Sequence, residues 1–97
     1  MKIQIEAPWE VNDYTRGIIE DKLQKLDKFS DEIIRADVYL KTGDNVKPND
    51  KIMEVTLSVP GPNIFAEATS ESFEKSVNDV SNKLRVQLLK RKEKRSF

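Results

Sequence analysis

Phe73, Val77, Val80, Leu84 and Leu88 recur at spacings of three and four, so the last third of the chain carries one apolar stripe along a helix. Such a stripe must be covered, and this one limits what the rest of the chain can be. Ser70 is the expected N-cap, and Glu71 and Glu74 fall where the positive end of the helix dipole favours acids. The stripe stops at Leu88 or Leu89, but the helical composition continues through Lys90, Arg91, Lys92, Glu93, Lys94 and Arg95 with no glycine or proline to end it. At about 1.5 Å per residue, a helix over residues 71–94 is roughly 36 Å long. A domain of this length has a radius of gyration of only about 12–13 Å. The basic end has nothing apolar to bury and reaches the rim of the domain or overhangs it.

The formal charge of the 97 residues is zero, which taken alone argues against a polyanionic partner. Its distribution argues the other way. Residues 1–82 hold 10 Lys and Arg against 16 Asp and Glu, a net of −6, and residues 83–97 hold 7 against 1, a net of +6. Local potential, not net charge, steers a polyanion. The competing reading is a solvated helix end whose cations complement its own dipole.

The preceding segments supply what the stripe needs. Residues 2–7 alternate, with Ile3, Ile5 and Ala7 on one face, and Pro8 ends this first strand. Trp9 is expected to cover an edge of the core. Asn12 or Asp13 caps a helix running to about Lys28, with Tyr14, Ile18, Ile19, Leu23, Leu26 and Phe29 as its apolar arc. Gly17 inside it costs on the order of 1 kcal/mol relative to Ala, which suggests a close contact there. A second strand spans residues 32–41, with Ile34, Ala36, Val38 and Leu40 inward. Residues 42–50 form a polar hairpin connection. A third strand spans 51–59, with Met53, Val55, Leu57 and Val59 inward. After the Pro60-Gly61-Pro62-Asn63 turn, a fourth spans 64–69, where Ala66 and Ala68 allow a helix to approach closely.

The order is β-α-β-β-β-α. The first two strands, joined by a helical crossover, can be parallel, and the last three form an antiparallel meander. Each strand has one apolar face and each helix one apolar stripe. The solution is an α+β domain, a four-stranded sheet with both helices on one face. One domain spans residues 1–97, with residues 90–97 as a basic helix end or flexible tail. A chain of this length buries roughly 65% of its unfolded surface, enough for one core.

Catalytic chemistry finds little support. There are no cysteines and no histidines, which excludes disulfides, thiol chemistry, a histidine triad and the usual zinc ligands. Three glycines make no nucleotide-binding loop, and the carboxylates sit mostly on solvent faces or in loops. We expect no enzyme, cofactor, metal or small-molecule substrate. No run is long enough to span a membrane and the N-terminus lacks a signal-peptide core, so a soluble cytoplasmic protein is expected.

The cations are arranged more tellingly. Lys22, Lys25 and Lys28 drift slowly round one side of the first helix. Lys22 lies within the apolar arc and must snorkel. On the second helix Lys83, Gln87, Lys90 and Lys94 share one flank of the stripe, and Arg85 and Lys92 the other. Cations about a helical turn apart can follow a phosphate backbone. Side by side, the two helices would bring their cations together across a groove. Tyr39 and Phe65 are too isolated for a base-stacking platform, which favours backbone and shape recognition of folded RNA.

Three segments resemble the ribosome hibernation promoting factor family, also called ribosome-associated inhibitor A. These are K-L-Q-K-L-D-K-F at 22–29, I-F-A-E-A at 64–68, and the helix S-F-E-K-S-V-N-D-V-S-N-K-L-R-V-Q-L-L-K-R-K-E-K at 72–94. The resemblance implies a fold like the double-stranded-RNA-binding domain. It also implies binding to rRNA of the small ribosomal subunit, in the channel of mRNA and the A- and P-site tRNAs, with translation blocked in idle cells. By position it assigns rRNA contacts to Lys22, Lys25, Lys28, Lys83, Lys90 and Lys94. Val86 stands where the family often has Arg, and Phe73 where it has Tyr; Arg85 and Arg91 are added as compensating contacts. The chain resembles the short form, expected to be monomeric and not to pair ribosomes through its own tail. The alternative is a protein-interaction module without RNA binding, in which the sheet face of Arg35, Asp37, Tyr39, Glu54 and Thr56, or an edge strand, binds an acidic protein.

Overall fold

The structure, a computed structural model, describes residues 1–44 and 46–94, the last two as backbone only. The strands are β1 (Lys2–Glu6), β2 (Arg35–Thr42), β3 (Lys51–Ser58) and β4 (Ile64–Ser70). They lie in chain order, β1 parallel to β2 and the other pairs antiparallel. Helix α1 (Asp13–Gln24) is the crossover from β1 to β2, and α2 (Phe73–Lys94) follows β4.

Register turns the alternation of each strand into continuous apolar rows. Ile3, Ala36, Leu57 and Ile64 are aligned across the sheet, as are Ile5, Val38, Val55 and Ala66, and then Leu40, Met53 and Ala68. The β2, β3 and β4 members of these rows are buried. Ile19, Leu23 and Leu26 from the first helical segment and Val77, Val80, Leu84 and Leu88 from α2 close the core on that face. Full burial of a side chain such as Leu84 is worth about 1.5–3 kcal/mol.

Both helices descend the same face in the same direction. At their N-terminal ends Tyr14, Thr15 and Ile18 share a cavity wall with Phe73 and Glu74, and at the other end Lys28 and Phe29 share one with Leu88, Arg91 and Lys92. The molecule is elongated, 48 × 26 × 18 Å, with a radius of gyration of 13.7 Å. Trp9 packs on Phe73 with ring centroids 5.8 Å apart, covering the N-terminal edge of the core as expected.

Local chemistry corrects several sequence expectations. The cap of α2 is Ser72, whose Oγ accepts from the Lys75 N–H at 3.2 Å while its carbonyl accepts from Ser76 N–H. Ser70 is the last residue of β4, so it cannot serve as the cap. Asn12 caps α1, its Oδ1 accepting from Thr15 N–H at 2.8 Å. That helix tightens after Gln24 into a 3-10 turn, Lys25–Lys28. Tyr14 is 74% exposed and does not belong to the apolar arc.

The second strand begins at Arg35, and Ile33 enters the core in place of Ile34, which is 65% exposed. Period-two alternation holds only within a strand. The turn at Ser30, whose Oγ accepts from Glu32 N–H, comes before it and shifts the parity. Gly17 meets no close contact: a Cβ there would point into open space. It is Gly43 that is needed, because a Cβ would lie 1.8 Å from the Lys47 carbonyl oxygen in the β2–β3 connection.

Ser76 is a core residue that periodicity does not find. Wholly buried, it donates to the Lys51 carbonyl at 2.7 Å and lies 2.9 Å from Ser70 Oγ, joining α2 to the start of β3 and the end of β4.

Candidate nucleic-acid interface

A helix directs its negative dipole end toward its C-terminus. Two helices running the same way therefore present two such ends together, and here the sequence supplies cations to that end. Lys22 sits half-buried on α1, consistent with a stem laid along the core edge, and Lys25 and Lys28 are exposed on the 3-10 turn. Arg85 and Lys90 are exposed on α2, Arg91 half-buried. The opposite end carries Glu10, Asp13, Glu71 and Glu74, all exposed. The two ends of the elongated body thus differ in emphasis, not completely: Lys51 and Lys75 sit with the acids, and Asp27, Asp31 and Glu32 with the cations.

The flanks of α2 differ. Arg85 faces the first helical segment, its guanidinium carbon 6.0 Å from the centroid of the Phe29 ring. Lys92 lines the same inter-helix cavity as Lys28 and Arg91, together with Asp27, Asp31 and Glu32. Lys83 lies on the far side, over β4, and donates to the Glu67 carbonyl at 2.6 Å. Gln87 donates to the Phe65 carbonyl at 2.8 Å. Arg91 reaches the β3–β4 turn, donating to Pro62 O at 2.5 Å and Pro60 O at 3.4 Å.

The expected groove between the helices thus gathers Lys28, Arg85, Arg91 and Lys92, but not Lys83. A flank of α2 can face α1 or the sheet edge, and sequence spacing groups residues by flank without saying which flank faces what. The side chain of Lys94 lies outside the described residues.

On the opposite face of the sheet the charged side chains engage one another. Arg35 holds Asp37 at 2.5 Å and also donates to Gln4 Oε1. Lys41 pairs with Glu54 at 2.8 Å. The hydrogen bond from Lys41 keeps the Glu54 carboxyl below its ordinary range, and the same contact raises Lys41. A face whose charges are locally matched offers no net field to an acidic partner. No group of carboxylates among the described residues could hold a metal ion, and no helix among them is long and apolar enough to cross a membrane.

These features define a class: a small β-α-β-β-β-α domain in which helices, not the sheet, present the concentrated charge. The chain belongs to the family described as Sigma 54 modulation protein / S30EA ribosomal protein, whose model matches residues 3–96. It is 35% identical over 75 residues to a ribosome-associated factor Y of Haemophilus influenzae, covering 77% of this chain and 66% of that protein. It is 31% identical over 85 residues to a ribosome hibernation promoting factor of Azotobacter vinelandii, covering 88% of this chain and 76% of that one. Among solved structures, a ribosomal subunit interface protein from Coxiella burnetii superposes with a TM-score of 0.85 at 28% identity, over 96% of this chain and 99% of that one.

Proposed function

We propose that this chain is a ribosome-associated hibernation factor that inhibits translation by occupying the mRNA and A- and P-site tRNA channel of the small subunit. The observation that carries the reading is the shared cationic end of two parallel helices. Family membership and the names of its relatives support a ribosomal partner for the chain. Lys22, Lys25, Lys28, Arg85, Lys90 and Lys94 contact rRNA phosphates. Lys83 and Arg91, bound to backbone carbonyls, add to the potential from fixed positions. The domain acts in the cytoplasm, as a monomer and without catalysis: inhibition is stoichiometric, saturating at one protein per ribosome, with no cofactor.

Sucrose-gradient co-sedimentation with purified small subunits over a range of salt tests this. With about five phosphates neutralised, log K falls against log salt with a slope of roughly −3.5 to −4.5. Replacing Lys25, Lys28 and Lys90 together by Gln reduces that slope by about 2–3 while the melting temperature stays near the parent's. A flat salt dependence, or a triple variant that binds as the parent does, overturns the reading. Co-sedimentation with an acidic protein in place of the subunit would favour an interaction module instead.

A further inference from the structure

An open sheet has two edges, and each offers unpaired backbone groups to another strand. The β1 edge is protected by brevity: five residues carrying Lys2, Gln4 and Glu6, with Pro8 just beyond. The β4 edge has less protection of its own, with one charged side chain, Glu67. It is seven residues long and contains no proline, and Phe65 on it is 51% exposed. Because the carbonyls of Phe65 and Glu67 accept from α2 side chains outside the sheet, they point away from β3. The N–H of a strand residue points the same way as its carbonyl, so these two residues present both donor and acceptor to the outside.

Lys83, Gln87 and Arg91 are spaced i, i+4 and i+8 on α2, and they reach Glu67, Phe65 and Pro62 in turn. Four helical residues advance about 6 Å. Outward carbonyls on a strand recur every two residues, about 6.6–6.8 Å. The helix runs antiparallel to β4, so the two repeats stay in step over Glu67 and Phe65.

We propose that Lys83 and Gln87 guard the middle of the β4 edge: they occupy the outward carbonyls of Glu67 and Phe65 and keep a second copy of this chain from extending the sheet by antiparallel β4–β4 pairing. The partner held off is a second copy because an antiparallel pairing of identical edges is self-complementary under a two-fold axis, so each copy presents what the other needs. Arg91 continues the same series onto the turn and fixes where α2 ends its run along the sheet.

The test replaces both donors by Ala, a good helix former, in K83A/Q87A, and measures self-association by sedimentation equilibrium. Four freed carbonyls per dimer should tighten association by roughly tenfold or more over the parent. Amide exchange at Phe65 and Glu67 should slow as concentration rises. K83R/Q87K, which keeps a donor at each position, should behave as the parent. Three results overturn the proposal: an unchanged association constant in a variant with native circular dichroism, association without protection of those two amides, or association of K83R/Q87K as strong as that of K83A/Q87A. Should the double variant not fold, Gln87→Ala alone carries the same readouts.

Discussion

Two serines on α2, five residues apart, should respond to the same substitution with opposite sign. Ser76 is wholly buried and donates to the Lys51 carbonyl at 2.7 Å. Ser81 Oγ, also shielded from solvent, has no hydrogen-bond partner among the described residues. Exchanging either for Ala brings the same gain in helix propensity, about half a kcal/mol, so propensity cancels in the comparison. What remains is the hydroxyl. Removing Ser76 Oγ leaves the Lys51 carbonyl without its donor and Ser70 without its neighbour, a loss of about 1–3 kcal/mol. Removing Ser81 Oγ relieves a desolvated group that gains nothing in return, and the variant should be more stable than the parent by about 0.5–2 kcal/mol. The two variants should therefore differ by about 2–4 kcal/mol. Urea unfolding followed by circular dichroism measures this, and with a slope of about 1–3 kcal/mol/M the midpoints separate by roughly 0.7–4 M. Equal slopes are required, since a changed slope signals a different unfolded or native state. If both variants shift the same way, or differ by less than about 0.5 kcal/mol, the hydrogen-bond account of α2 is wrong.

Leu84→Ala opens a cavity in a wholly buried position and should cost about 2–5 kcal/mol, weakening ribosome binding only in proportion to the unfolded fraction, which binding and melting measured on one sample would show. Gly17→Ala should stabilise by about 0.5–1 kcal/mol, there being open space for the Cβ, whereas Gly43→Ala should destabilise because its Cβ meets the Lys47 carbonyl; a pair of thermal melts distinguishes them. Glu54 is held below its ordinary value of 4.5 by the hydrogen bond from Lys41. Its contribution is present above that value and is lost as pH falls through the lower folded value, so Glu54→Gln should flatten the acid limb of a stability-against-pH series, and an unaltered limb would remove Glu54 from the account.

The fold was legible because every strand alternates and each helix carries a stripe: β1 through β4 and α2 follow from Ile3, Ile5, Val38, Val55, Ala66 and Leu84 falling at the right spacings. The misreadings occur where local hydrogen bonding decides. Ser70 and Ser72 both fit a cap, and only the end of β4 chooses between them. Ile33 and Ile34 both fit a core position, and the turn at Ser30 chooses. For the candidate site, the clustering of cations toward one end was visible as a charge asymmetry along the chain. Which flank of α2 faces α1 was not, because a stripe defines the buried direction but leaves left and right to the sheet. The backbone roles of Lys83 and Arg91 were hidden for the same reason: a lysine bound to a carbonyl and a lysine in water have the same letter.

The anchor of Arg91 on the Pro60–Pro62 turn makes α2 a cantilever. Up to that point the helix is clamped to the sheet by its stripe and by a row of side chains along one edge; past it the backbone continues to Lys94 with no sheet beneath. A beam clamped at one end has a fixed direction, so the backbone past Arg91 is already aimed, and little order would have to be gained there on contact with a partner. The load on such a beam is greatest at its root. Residues near Leu88 and Arg91 therefore govern how stiffly the basic tip is held, while the tip itself is free to change in length or charge without disturbing the body that carries it.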